Sequence, residues 1–454
     1  MADYLPHTEA EVVSMLAFLG LDSLDDLFAH IPASVRLAGG LSMPLGMTEP
    51  DVADLFARFT SANRATSSKM AIFAGAGAYD HEVPPVVRAL ASRSEFVTAY
   101  TPYQPEVAQG VLQAIFEFQT LVSRLSGLPI PNASLYDGAT GLVEALNMAA
   151  GATGRSRMLV SAGVHPHWLA TARTFAAGTG HDIVIVPLVN GVTDWAAAPR
   201  GDVAAVVGAY PNYLGGLEDL TPARGLADDE GALMVVAADP VAAGVLKTAG
   251  QWGADIFVGE GQPFGTALSF GGPYLGLFAC SEAQLRRLPG RIVGETVDVD
   301  GRRAYVTTLR AREQDIRREK ATSNICSNQT LMAVAAAIQL GWLGTQGLRE
   351  VATRCAQGAH YLFEGLTALP GVIATLPSPF FREFAVTLPV DAHEVVEAMA
   401  GEGILAGVAL SSLLSGESSH AGVDEAKTLL VAVSERRTRA EMDRYVDVMR
   451  KVVS

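Results

Sequence analysis

The chain has 454 residues, of which 49% are hydrophobic and 18% charged, and it contains 45 glycines. This composition is typical of a globular α/β enzyme and excludes a disordered or fibrous chain. The formal net charge of −15 argues against a general nucleic-acid-binding protein.

The N-terminal segment and the apolar stretches of the sequence indicate the cellular compartment of the protein. The N-terminus lacks a basic segment followed by an apolar core, and no stretch is long enough to cross a bilayer without a charge or turn residue. We therefore predict a cytoplasmic protein with neither a membrane nor a nucleic acid as partner. Cys280, Cys326 and Cys355 are widely spaced and form no CxxC pair, so we expect buried thiols and no metal site.

Residues 1–65 are predicted to form an N-terminal helical arm. Thr8 begins a capping pattern ahead of a periodic apolar run, and the stretch 37–49 is rich in Gly, Met and Pro. Arms of this kind commonly wrap a partner subunit, although a solvated linker has the same composition.

The polar turn at 96–106 is the first candidate site. Around two prolines it gathers two phenols, a hydroxyl, an amide and a carboxylate, which belong to Tyr100, Thr101, Tyr103, Gln104 and Glu106. Such groups are costly to bury unless each is hydrogen-bonded or faces a ligand. The local chemistry favours a site, and a structural turn is the alternative.

The segment 132–140 opens a predicted helix and carries Ser134 and Thr140 next to glycines. Free backbone N–H groups and the helix dipole both favour an anion at a helix start, so this segment could capture a phosphate. An ordinary capped helix explains the same residues equally well.

Four apolar runs after Arg157, at 158–161, 183–187, 203–208 and 233–239, are predicted to be buried parallel strands because they do not alternate with polar residues. The last run ends in Asp239. Gln262 follows 23 residues later in a polar turn that opens into a glycine-rich apolar stretch.

A strand that ends in aspartate, followed by such a turn, is the layout of a pyridoxal-phosphate site. The aspartate would hold the pyridine nitrogen protonated, and a lysine in the turn would hold the cofactor as an imine. His165, which follows the first strand, would stack on the cofactor; alternatively it caps the next helix. The turn has no lysine, and the lysines of the chain lie elsewhere, at Lys69, Lys247, Lys320, Lys427 and Lys451. The sequence therefore predicts a cofactor scaffold without its central nucleophile.

Several longer motifs carry a resemblance to a known family. They are YLPHT at 4–8, LFAHIP at 27–32, TAYTPYQPE at 98–106, NASLYDGAT at 132–140, GEGQ at 259–262, FGGP at 270–273 and KATSNI at 320–325. With them the chain closely resembles, over nearly its full length, the P-protein (glycine decarboxylase) family of the glycine cleavage system, and within it the alpha subunit of the split form.

The resemblance implies the type I fold of pyridoxal-phosphate-dependent transferases, as in aspartate aminotransferase. We expect a large α/β domain with a mostly parallel sheet at 66–325 and a small C-terminal α/β domain at 326–454. It also implies a beta subunit that binds pyridoxal 5'-phosphate covalently in place of this chain, in a heterotetramer. Together the subunits would decarboxylate glycine and pass the aminomethyl group to the lipoyl arm of the carrier H-protein.

For individual residues, the resemblance implies that Gln262 replaces the lysine and that Asp239, Ser134, Thr140 and His165 are vestiges of a cofactor site. We expect Tyr100, Thr101, Tyr103, Gln104 and Glu106 to reach across the interface and hold the substrate carboxylate or the lipoyl arm. The alternatives are a catalytically silent structural or carrier-docking subunit, and a self-sufficient pyridoxal-dependent decarboxylase, for which a lysine is missing.

Overall fold

The computed structural model describes residues 6–37, 41–63, 70–97, 103–269, 271–309, 323, 325, 328–412 and 422–454. Tyr100 and Thr101 of the predicted site, together with Cys326, lie outside these residues. The chain divides into two compact units, Met1–Asn63 and Arg64–Ser454. The domain boundaries inferred from the sequence remain predictions.

The first unit contains two α-helices, α1 (Glu9–Leu19) and α2 (Glu49–Ala62), and short 3-10 turns at Leu24–Phe28 and Ala33–Val35. The capping pattern expected at Thr8 is confirmed: its hydroxyl accepts from the Glu11 amide, and the Glu11 carboxylate accepts from the Thr8 amide. These reciprocal bonds satisfy N–H groups that have no partner within the helix.

The second unit is built from short strands and longer helices. Its helices are α3 (Pro85–Ala91), α4 (Ser94–Val97), α5 (Gln109–Ser126), α6 (Gly138–Thr153), α7 (Pro166–Thr179), α8 (Thr221–Glu230), α9 (Thr330–Thr367), α10 (Ala392–Gly401) and α11 (Arg439–Val452). Its strands are β1 (Ala71–Ile72), β2 (Ile130–Pro131), β3 (Arg157–Ser161), β4 (Asp182–Val186), β5 (Leu188–Val189), β6 (Val192–Thr193), β7 (Val203–Tyr210), β8 (Leu233–Ala238), β9 (Ile256–Glu260), β10 (Gly276–Cys280), β11 (Ile292–Val297), β12 (Arg303–Thr308), β13 (Ile373–Ala374), β14 (Glu383–Thr387), β15 (Ile404–Leu405), β16 (Val408–Ala409) and β17 (Thr428–Ala432).

A seven-stranded sheet of order β2-β10-β9-β8-β7-β3-β4 forms the centre. Strands β9, β8, β7, β3 and β4 are parallel, and β10 is antiparallel to both its neighbours. The four predicted strands are β3, β4, β7 and β8, and all four lie in this sheet. Every residue of β7 is buried, as expected for a strand covered on both faces. At the sheet edge, β4 is only partly buried.

A separate hydrophobic core surrounds the four-stranded sheet of order β13-β14-β17-β16. Strand β1 pairs in parallel with β15, which brings Phe73 into this C-terminal core. There its ring meets that of Tyr445 at a centroid separation of 4.8 Å. The segment after β1 therefore lies between the C-terminal core and the central sheet, where it can line a site.

Helix α9 links the two cores. Ala333 and Leu340 pack into the core of the central sheet, and Leu362 and Leu366 into the C-terminal core. Gly344 interrupts the helix with φ 59° and ψ −174°. By length and apolar composition alone α9 could cross a membrane, a test that the core helices of other proteins also pass. Its buried contacts with both cores are those of a core helix.

Candidate functional site

A cavity of about 100 Å³ lies at the carboxyl ends of β7, β8 and β9. This is the edge at which open α/β sheets bind ligands. Gly77 and Tyr79, in the segment after β1, and Arg382 and Glu383, at the start of β14, also line the cavity. Its polar and aromatic lining consists of Tyr79, His165, Trp168, Asn212, Tyr213, Asp239, Glu260, Arg382 and Glu383.

Asp239, at the end of β8, is paired within the chain. Its Oδ2 lies 2.7 Å from Nε of Arg382, and its Oδ1 accepts from the Val241 amide at 2.9 Å. Arg382 is only 2% exposed. Its guanidinium stacks on the Tyr79 ring at 3.7 Å from the centroid and donates to Nε2 of His81. The carboxylate that the sequence assigned to a pyridine nitrogen thus has a cationic partner from the C-terminal part of the chain.

Glu383 fixes the loop that carries Tyr79. Its Oε1 accepts from the Ala76 amide at 2.6 Å and its Oε2 from the Tyr79 hydroxyl at 2.7 Å. Burial raises the pKa of the Glu383 carboxyl, which the two hydrogen bonds oppose. Burial, and then the nearby Glu383 charge, raise the pKa of Tyr79 well above its ordinary value. Tyr79 is therefore a protonated phenol that donates to Glu383.

Gln262 occupies the turn after β9 and is 1% exposed. Its Oε1 accepts from the Tyr79 amide at 3.0 Å, and its Nε2 donates to the carbonyls of Tyr79 and Thr266 at 3.1 and 2.9 Å. Both ends of the amide are thus hydrogen-bonded to main chain. Gln262 ties the Tyr79 segment to the central sheet, and it has no group that could attack an aldehyde.

The start of α6 is closed by two carboxylates. Asp137 accepts from the Thr140 amide at 2.7 Å, and Thr140 Oγ1 accepts from the Asp137 amide at 3.2 Å, which forms a capping box. Glu260 accepts from the Gly138 amide at 3.0 Å. Trp168 covers the same turn, since a Cβ on Gly138 would lie 2.1 Å from its ring. Thr140 therefore has the capping role that the sequence left open as the alternative.

Glu260 has three main-chain partners in all, because its Oε1 also accepts from the amides of Gln262 and Leu275, each at 3.0 Å. Burial raises the pKa of this carboxyl to about 7, against the opposing effect of the three hydrogen bonds. Above that pH, Glu260 is an anion held at a helix N-terminus, where an anion is stabilised.

Ser134 and the polar turn meet at the start of α9. Ser134 Oγ accepts from the Gln329 amide at 3.1 Å, away from the residues that line the cavity. The Tyr103 hydroxyl lies 3.4 Å from Thr330 Oγ1, and its ring carries the Arg291 guanidinium 3.9 Å from the centroid. Gln104 and Glu106 are exposed. Tyr103, Gln104 and Glu106 thus lie outside the cavity. We call these three residues the rim. Tyr103 is held by its contacts with Thr330 and Arg291.

His165 caps the next helix, the alternative that the sequence left open, and its ring also lines the cavity. It precedes α7, and its Nδ1 accepts from the His167 amide at 3.1 Å, while its ring lines the cavity. Since Nδ1 accepts, Nε2 carries the proton and donates to the Ala76 carbonyl at 2.8 Å. Burial lowers the pKa of His165 to about 4. The ring is a neutral cap and wall.

We expect His165 to stay neutral from pH 8 to pH 5 and to titrate near pH 4. Because its folded pKa lies below its ordinary value of 6.5, its contribution to stability is complete above pH 6.5 and is lost as the pH falls toward about 4. Histidine ring NMR would report the midpoint, with a His165→Gln variant to assign the signal and exposed His393 as internal reference. A midpoint above pH 6 would contradict the assigned hydrogen bonds.

His81, Cys355 and Glu435 place three potential metal-ligand atoms within 4.8 Å of one another. Arg382 can only donate, so Nε2 of His81 must accept, and the proton lies on Nδ1, which donates to Glu435 at 2.6 Å. A protonated Nδ1 cannot bind a metal, and burial raises the pKa of the Cys355 thiol. The cluster is a hydrogen-bonded network. The predicted buried thiols are confirmed for Cys280 and Cys355.

Comparison with known proteins identifies the family. The family model of the glycine cleavage system P-protein matches residues 2–449. The chain belongs to this family. A probable glycine dehydrogenase (decarboxylating) subunit 1 of Prosthecochloris aestuarii is 47% identical over 448 residues, 98% of each chain. One of the same name from Moorella thermoacetica is 46% identical over 454 residues, 99% of this chain and 100% of the relative.

Solved structures agree with the sequence relatives. The crystal structure of an inhibitor-bound glycine decarboxylase (P-protein) of the glycine cleavage system is 44% identical, with a TM-score of 0.88 over 99% of this chain and 100% of that one. Glutamate decarboxylase of Lactobacillus brevis, 12% identical with a TM-score of 0.67 over 93% of this chain and 96% of its own, shows a shared fold alone. The predicted family and the predicted type I fold of pyridoxal-phosphate-dependent enzymes are confirmed.

The residues of this pocket do not suit pyridoxal 5'-phosphate. A glutamine stands in place of the lysine, Asp239 is paired with Arg382, and carboxylates occupy the start of α6. Reasoning from the sequence identified Asp239 and Gln262 but missed Glu260, Arg382 and Glu383. The sequence does show Glu260 as a glutamate two residues before Gln262. It also shows Arg382 and Glu383 as two adjacent charged residues just before the apolar run 384–386.

Proposed function

We propose that the chain is subunit 1 of a glycine dehydrogenase (decarboxylating). A second subunit binds pyridoxal 5'-phosphate on its own lysine, and the assembled heterotetramer decarboxylates glycine and transfers the aminomethyl group to the lipoyl arm of H-protein in the cytoplasm. The names of the relatives support the reaction. The observation that carries the division of labour is Gln262, whose amide is hydrogen-bonded at both ends where a lysine is required.

We propose further that the polar turn from Tyr100 to Glu106, of which Tyr100 and Thr101 lie outside the described residues, contributes to the partner's site. Exposed Gln104 and Glu106 are available to a second subunit, and Tyr103 is held by the stacked Arg291. The neutral hydroxyl of Tyr103 and amide of Gln104 suit decarboxylation as hydrogen-bonding groups. A tight cationic clamp would stabilise the substrate carboxylate in the ground state and so raise the barrier to its loss.

Co-expression with a candidate second subunit tests the proposal. We expect a stable complex that catalyses exchange between the glycine carboxyl group and bicarbonate, whereas this chain alone is inactive and shows no imine absorbance near about 400 nm. Activity of this chain alone, with an imine reducible by borohydride, would instead indicate a self-sufficient decarboxylase.

Substitutions in the rim test the finer assignment within that complex. Tyr103→Phe and Gln104→Ala should each lower exchange about tenfold, the effect of losing roughly one useful hydrogen bond in the transition state. Tyr361→Phe, which removes a hydroxyl bonded to Asp443 on the C-terminal part of the chain, is the matched control. Unchanged exchange in both rim variants would assign this chain a structural or carrier-docking role.

A further inference from the structure

We infer that this chain supplies internal replacements for two parts of the cofactor and for the lysine that would bind it, and that the Glu260 carboxylate among them excludes pyridoxal 5'-phosphate even when the missing lysine is restored. The inference extends the proposed division of labour between the subunits. Its test needs no partner, so its failure is distinguishable from failure of the proposed function.

Glu260 takes the place of a phosphate. It accepts hydrogen bonds from the amides of Gly138, Gln262 and Leu275, each at 3.0 Å, and so uses N–H groups of the α6 start and of the turn after β9. Asp137 holds a further amide of that helix turn. An incoming phosphate would meet two carboxylates and would have to displace Glu260 from its donors, since like charges in contact are strongly unfavourable.

Arg382 takes the place of a protonated pyridine nitrogen. It is a buried cation whose Nε lies 2.7 Å from Asp239 Oδ2, and it stacks on the Tyr79 ring as a planar group. Both features are those expected of a pyridinium ring between an aspartate and an aromatic wall. Displacing Arg382 would break its contacts with Asp239 and Tyr79, but a pyridinium ring in its place would restore both, whereas displacing Glu260 leaves a buried carboxylate without its three donors.

Gln262 takes the place of the lysine but does not leave a reactive environment for one. The carbonyls of Tyr79 and Thr266 both accept from its Nε2. A lysine ammonium at this position would donate to the same two carbonyls, which stabilise its charged form, and only the neutral amine attacks an aldehyde. A lysine here is therefore a weak nucleophile, which forms the adduct only if a phosphate site holds the aldehyde beside it.

The test uses the full-length chain with pyridoxal 5'-phosphate at pH 8, where Glu260 is ionised, followed by borohydride reduction and peptide mass mapping. An amine at residue 262 forms a C=N bond to the aldehyde carbon, the aldehyde oxygen leaves as water, and hydride then fixes the adduct. The variants are Gln262→Lys alone, Gln262→Lys with Glu260→Ser, and Gln262→Met as the control without an amine.

We expect Gln262→Lys to be unlabelled at residue 262 and the double variant to be labelled there at least about tenfold more, because serine frees three N–H donors for the phosphate and removes one of the two repelling carboxylates. Circular dichroism verifies folding, and Glu260→Gln, a neutral isostere, replaces serine if the first double variant is unstable. Equal labelling of the single and double variants would overturn the inference, and so would an absence of labelling in a folded double variant.

Discussion

Replacing Arg382 by alanine is expected to destabilise the protein by about 3–5 kcal/mol, the range for removing one partner of a buried ion pair. The substitution leaves Asp239 without its cation, deprives Nε2 of His81 of its donor and removes the plane stacked on Tyr79. It also opens a cavity between the central sheet and the C-terminal core. Urea unfolding followed by circular dichroism measures the loss.

The matched control for that experiment is Arg354→Ala. Arg354 forms an ion pair with Glu350 one turn away on α9 at 2.5 Å, but its side chain is 62% exposed. Exposed pairs of this kind contribute about 0–1 kcal/mol. If the two variants lost similar stability, Arg382 would not be the bridge between the two halves of the pocket.

Gly215→Ala is expected to cost at least about 3 kcal/mol, since two unfavourable effects combine at this residue. Gly215 has φ 90°, a conformation that disfavours a side chain, and an added Cβ would lie 2.1 Å from the Glu383 carbonyl oxygen. Relief would require movement of the main chain that presents the Glu383 carboxylate to Ala76 and Tyr79. Thermal unfolding compared with that of the wild type measures the effect.

Gly201→Ala separates the two contributions. Gly201 has φ 91°, and an added Cβ would meet nothing within 4 Å, so this variant should cost only the backbone term of about 1–2 kcal/mol. If Gly215→Ala lost no more stability than Gly201→Ala, the close approach of the new Cβ to the Glu383 carbonyl would contribute nothing to the destabilisation.

The four substitutions test whether contacts within the chain hold the carboxyl edge of the central sheet in place. Asp239, Gln262 and Glu260 on the central sheet are each bonded to the chain's own groups, and Asp239 and Gln262 bind partners near the C-terminal core. Here they fix the sheet, the segment after β1 and the start of β14 in one arrangement.

Much of this could be predicted from the sequence because the relevant signals are local. Uninterrupted apolar runs identify β3, β7 and β8 as buried strands, since a strand covered on both faces has no solvent side on which to place polar residues. The motifs between residues 4 and 325 identified the family. The absence of a lysine near Gln262 can be read directly from the amino-acid sequence.

The tertiary structure decided what replaces the cofactor, because the replacing contacts join residues distant in the chain. Glu260 meets Gly138 across 122 residues, and Gln262 meets Tyr79 across 183. No periodic pattern in the sequence reveals such pairs. A glutamate at the end of a predicted strand looks the same in the sequence whether its carboxylate binds a ligand or a helix N-terminus. The sequence alone determined the family and the missing nucleophile; only tertiary contacts, between α6 and β9 for Glu260 and between the two cores for Arg382, place these residues where we propose that they replace the cofactor's charges.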